Sequence, residues 1–252
     1  CPESYWSWEW GWLEQLCNKD LATFTGHSAP VQKIAVSRDG AMAISGDSEG
    51  TAILWDVVTG KEVRRAPALK GQVIALAFGP DGQSIAVGGA ANEATMLTTN
   101  TLEPQYSLAG HTAAINAVAF NPDGRMLATA SSDDTARIWD LDTRESVAVL
   151  SEHLNDVVAI AWAANGAFVV TGSLDNTLAI WDAQSWKLLR KLEGHTNDVT
   201  CLSISPEGDR IASGGADGLV RVWNAADGKQ LSQREFGRDI RDVAFASDGA
   251  RL

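Results

Sequence analysis

The chain has 252 residues and carries 20 lysines and arginines against 32 aspartates and glutamates, a formal charge of -12. That balance excludes a phosphate backbone as the main partner, because the long-range attraction has the wrong sign, and it suits basic partners. With 45% apolar residues the length supports one all-β domain with a large core, and no apolar run reaches the roughly 18 residues of a membrane-spanning helix.

In chain order, the first stretch, CPESYWSWEWGWLEQLCNKDL, places tryptophans at 6, 8, 10 and 12, a spacing of two that puts them on one side of a strand. Five windows then repeat at a step of 42 residues, starting at residues 36, 78, 120, 162 and 204. Tryptophans at 55, 139, 181 and 223 keep the step with a gap at 97, and histidines at 27, 111, 153 and 195 keep it with a gap at 69. Within a unit, short apolar runs are broken by turn residues, which predicts antiparallel strands. In the third unit the expected strands are INAVAF (115–120), MLATAS (126–131), TARIWD (135–140) and SVAVL (146–150), with NPDG as the first turn. Four strands per unit, repeated around a ring, predict an all-β propeller. The last stretch, IRDVAFASDG (240–249), starts a sixth unit one residue early.

The pairs Gly26-His27, Gly110-His111 and Gly194-His195, with Trp55-Asp56, Trp139-Asp140 and Trp181-Asp182, are similar to those of the WD-repeat β-propeller family; Glu152-His153 and Trp223-Asn224 are variants. The resemblance implies a hydrogen-bonded quartet in each blade: His27, Ser45, Glu49 and Trp55; His111, Thr129, Asp133 and Trp139; His153, Thr171, Asp175 and Trp181; His195, Ser213, Asp217 and Trp223. Glu49 departs from the family's Asp. In the second unit the same places hold Leu69, Val87, Ala91 and Leu97, all apolar, as expected if a buried polar network is lost together rather than in part. A single propeller over residues 1–252 follows, with blades at about 28–68, 69–109, 110–151, 152–193, 194–235, and 236–252 joined with 1–27. Two readings stay open: six blades with the last closed by strands from both termini, or a fragment of a seven-bladed or larger propeller.

All four histidines fall in these quartets, so none is left as a general base or metal ligand, and the chain is expected to be a non-catalytic scaffold with no cofactor and no metal. A propeller hydrolase with a central metal would draw on the inner strands, where Asp242 and Asn116 are the oxygen ligands on offer. A third reading is a sensory or regulatory module of a larger protein. The resemblance places the interaction face on the residues just after each histidine and just before each network acid. Asn155, Asp156, Asn197 and Asp198, with Ser132 and Leu174, are its candidate partner contacts, and Trp186 in AQSWKLL is one on the opposite face. The expected partner is a protein or peptide, basic where it meets Asp156 and Asp198, with no nucleic acid and no membrane. Three irregularly placed cysteines, Cys1, Cys17 and Cys201, fit a reducing compartment such as the cytoplasm, a Cys1–Cys17 disulfide being the alternative.

Overall fold

The computed structural model describes residues 23–252. The tryptophan-rich stretch, and with it most of the closing strands expected from residues 8–24, lies outside the described residues. The 42-residue step becomes five four-stranded antiparallel sheets, each strand hydrogen-bonded to its neighbour in sequence. The first sheet holds β1 (Val31–Val36), β2 (Met42–Asp47), β3 (Thr51–Asp56) and β4 (Glu62–Pro67). The second holds β5 (Val73–Phe78), β6 (Ser84–Gly89), β7 (Glu93–Thr98) and β8 (Pro104–Ala109). The third holds β9 (Ile115–Phe120), β10 (Met126–Ser131), β11 (Ala136–Asp140) and β12 (Glu145–Leu150). The fourth holds β13 (Val157–Trp162), β14 (Phe168–Ser173), β15 (Thr177–Asp182) and β16 (Leu188–Glu193). The fifth holds β17 (Val199–Ile204), β18 (Arg210–Gly215), β19 (Leu219–Asn224) and β20 (Gln230–Glu235).

The second and third strands of every sheet are buried along most of their length, while the fourth is largely exposed. Two middle strands covered on both faces need continuous apolar runs such as ILW or VVT, and an outer strand needs only one apolar side. The sheets stand side by side, with β1 against β5, β5 against β9, β9 against β13 and β13 against β17. Small residues at one place of each second strand allow this approach. A Cβ on Gly46 would lie 2.3 Å from Val73 Cγ1, and one on Gly88 would lie 2.6 Å from Ile115 Cγ2.

Residues 240–245, expected as a sixth inner strand, form no ladder among the described residues, because no described strand stands beside them on the second-strand side. Their contacts nonetheless repeat those of an inner strand. Ile240 sits where a Cβ on Gly214 would touch it, as Val73 sits over Gly46. Thr200 Oγ1 donates to the Ile240 carbonyl as Asn116 Nδ2 donates to that of Val157. The bonds Ala246 N–H to Arg251 O and Gly249 N–H to Ala246 O reproduce Ser205 to Arg210 and Gly208 to Ser205 one unit earlier. At the opposite side of the array, Ile34 of β1 is 58% exposed where Leu76 of β5 is 5% exposed, so no described residue covers that face of the first sheet.

Candidate functional site

In the third sheet, Trp139 Nε1–H donates to Thr129 Oγ1 at 2.9 Å, and the hydroxyl meets His111 Nε2 at 2.7 Å. His111 Nδ1 in turn meets Asp133 Oδ2 at 2.8 Å. The fourth sheet repeats the chain through Trp181, Thr171, His153 and Asp175, and the fifth through Trp223, Ser213, His195 and Asp217. A hydroxyl has one hydrogen to give. The Asp133 carboxylate can only accept, so Nδ1 carries the imidazole proton; in the neutral ring Nε2 is then an acceptor, and the hydroxyl gives it that one hydrogen while accepting from the indole.

Electrostatics agree with that assignment. Burial, opposed by the aspartate bond, pushes His111, His153 and His195 below the usual value. Burial acts to raise Asp133, but hydrogen bonds from the Thr135 hydroxyl, the Thr112 amide and His111 outweigh it and lower the group to about 2. Asp175 is lowered to about 2 in the same way, by Thr177, the Leu154 amide and His153.

The first sheet corrects one expected member. His27 Nδ1 meets Asp47 Oδ2 at 2.7 Å, with Ser45 and Trp55 completing the chain, while Glu49 is exposed and contributes only its backbone N–H to Asp47 Oδ1. Asp47 occupies the place held by Ser131 and Ser173 in other sheets. From the end of β2 its short side chain reaches the imidazole and also takes the Glu49 and Thr51 amides. The signal was present in the sequence as an acid displaced by two residues, beside a Glu too long for the turn. In the second sheet Val87 and Leu97 are fully buried in an apolar cluster that Leu69 packs against.

The network reaches the loops. Asp133, Asp175 and Asp217 each accept the amide of the residue after the histidine, from Thr112, Leu154 and Thr196. A second backbone bond recurs in all five sheets: Ser48 to Pro30, Ala90 to Gln72, Ser132 to Ala114, Leu174 to Asp156 and Ala216 to Asp198. The two rows of candidate contacts are therefore stitched together on one end of the array. Four stretches of the chain, 18–56, 102–140, 144–182 and 186–224, match the WD domain, G-beta repeat family and together cover more than half of it. The chain belongs to the WD-repeat family. The first three strands of the second sheet, which hold Val87 and Leu97 of its apolar quartet, fall outside the four matches, while β8 lies within the stretch 102–140.

WD repeats generally mediate protein–protein interaction. On the loop end of this WD-repeat array, Asn155 and Asn197 are exposed, and Asp156, Asp198, Ser132 and Leu174 are partly exposed. Ser132 Oγ accepts from Asn116 Nδ2, and Asn155 Nδ2 donates to the Leu174 carbonyl. Neither the Asp156 nor the Asp198 carboxylate takes a hydrogen bond or ion pair among the described residues. At the opposite end Trp186 is half-buried, its ring edge-on to Trp162 at 6.0 Å. Asp242, on the 240–245 segment, is exposed, whereas Asn116 is engaged by Ser132 and Val157. Among the described residues no three His, Cys, Asp or Glu side chains group as a metal site, and no helix is long and apolar enough to cross a membrane.

Proposed function

We propose that the chain is a non-catalytic interaction platform that takes a basic peptide segment across the loops of the fourth and fifth sheets. One observation carries this reading: Asp156 and Asp198, at the same place in adjacent repeats, keep unpaired carboxylates on loops held down by Asp175 and Asp217. A rigid loop loses little entropy on binding, and two fixed charges of one sign select their opposite. Exposed Asp134, Glu152, Glu193 and Asp239 extend the negative field on this end.

Titration with a fluorescent lysine- and arginine-rich peptide, with an acidic peptide as control, tests the reading. Asp156→Lys with Asp198→Lys turns two attractions into repulsions and weakens the basic peptide by about tenfold or more at low salt. Unchanged affinity in the double variant, or equal binding of the acidic control, overturns it.

A further inference from the structure

At the end opposite the candidate face, the turn between the third and fourth strands of each sheet has one residue with positive φ. These residues are Gly60, Leu102, Arg144, Trp186 and Gly228, one per repeat, with φ between 55° and 74°. The three that carry long side chains all place them at the interface with the preceding sheet, Leu102 and Arg144 directly onto it and Trp186 beside its own sheet's Trp162. Leu102 is fully buried in the cluster of Leu54 and Ala68, and Arg144 lies 4.4 Å above the Tyr106 ring. Trp186 packs on the cluster shared by the third and fourth sheets, edge-on to Trp162. Leu102 is a buried wedge between two neighbouring sheets, half-buried Trp186 packs beside such an interface, and exposed Arg144 covers one.

Gly228 cannot do this. A Cβ there would point the same way, toward Leu192 Cδ2 at 3.0 Å and Arg190 Cδ at 3.2 Å, and Arg190 holds the place of Tyr106 in the second sheet. Beside this turn the crevice between the fourth and fifth sheets is open, with a volume of about 330 Å³, between Phe168, Ile180 and Leu189 on one side and Ala225 and Ala226 on the other, and Gly228 borders it through Arg190. Its walls are mostly apolar, with Asn224 and Asp209 among them. The one cation at its rim, Arg190, is exposed and makes no ion pair or hydrogen bond among the described residues, whereas nearby Asp209 is held by Ser205 and Asp227 by Lys229.

We propose that this crevice is a second docking site, which receives one tryptophan- or leucine-sized side chain of a partner polypeptide with a carboxylate beside it to meet Arg190. The size follows from the wedges that the chain itself inserts at the other interfaces, and the carboxylate from the unpaired guanidinium. The site lies on the end opposite Asp156 and Asp198 and does not depend on the basic-peptide reading.

The test is amide NMR titration of the full chain with two capped dipeptides, acetyl-Trp-Asp-amide and acetyl-Trp-Lys-amide. Fragments of this size bind in about the millimolar range. The expected result is shifts centred on Ile180, Leu189, Ala225 and Ala226, several-fold tighter for the Asp peptide. Gly228→Leu, which builds the chain's own wedge at a φ that Leu102 already adopts, should abolish them. Leu189→Ser, at a half-exposed position, should weaken them without touching the turn. Shifts that survive Gly228→Leu, shifts centred elsewhere, absence of shifts with both peptides, or equal binding of the two would each overturn the proposal. So would a concentration-dependent self-association that Gly228→Leu removes, since the occupant would then be a second copy of this chain.

Discussion

Thr171→Val removes one hydroxyl from the middle of the fourth sheet and keeps the side chain's shape. Two buried polar atoms lose their partner at once: His153 Nε2, 2.7 Å from the hydroxyl, and Trp181 Nε1, 2.9 Å from it. The His153 side chain is 0% exposed, so water cannot replace the bond. Each of the two orphaned groups costs about 1–3 kcal/mol, and the added buried methyl returns about 1 kcal/mol, leaving a net loss of about 1–5 kcal/mol. Against a typical total of about 5–15 kcal/mol that is a large fraction. Urea unfolding measures the loss, and native-state hydrogen exchange should place it in β13–β15, where amides exchange roughly 5- to 4,000-fold faster. Repeats couple mainly to their neighbours, so the first sheet should be little affected. Replacing all four members by the apolar quartet of the second sheet should cost less than the four single changes summed, because no polar atom is left alone. A Thr171→Val variant within about 0.5 kcal/mol of the parent would refute the reasoning.

Asp47→Ala should destabilise by about 2 kcal/mol or more and Glu49→Ala by less than about 0.5, a contrast that urea midpoints resolve; equal effects would return the network acid to Glu49. Acid should weaken the array in two stages. The lowered imidazoles of His111, His153 and His195 give stability that is full above their ordinary value of 6.5 and is lost as pH falls through their folded values. Asp133 and Asp175 add a contribution that is full above 3.8 and is lost as pH falls toward about 2. Urea midpoints that stay level from pH 7.5 down to about 4.5 would contradict the first stage. Thr200→Val removes the hydroxyl that donates to the Ile240 carbonyl, and the Phe245 amide, bonded to Ser203, should then exchange about tenfold faster. No change there would mean that residues 240–245 are held by other contacts.

Much of the site was legible because a fixed hairpin register turns sequence spacing into distance. Trp139 and Thr129 are ten residues apart, and the pairing of β10 with β11, which sets Thr129 opposite Arg137 and Trp139 opposite Leu127, makes them diagonal neighbours on one face whatever the loop contains. The same reasoning missed Asp47, because a count assigns one place to the acid while the imidazole accepts any carboxylate whose oxygen arrives, and the end of β2 lies equally near. It missed the crevice because Gly228 reads as an ordinary turn glycine; only the side chains of Leu102, Arg144 and Trp186, each placed at an interface between sheets, show what its hydrogen leaves out.

By itself the sequence determined the 42-residue unit, its four strands and the apolar run of places in the second unit, while the family resemblance implied the polar quartets, three of them with the members that the hydrogen bonds join. These depend on local periodicity and on pairing between strands joined by short turns, and both are written along the chain. Tertiary structure alone decided which acid closes the first network, how Ile240 comes to lie over Gly214, and where an interface between sheets stays unfilled. Those outcomes depend on contacts between neighbouring sheets, where packing is judged by distance in space and no spacing in the sequence records it.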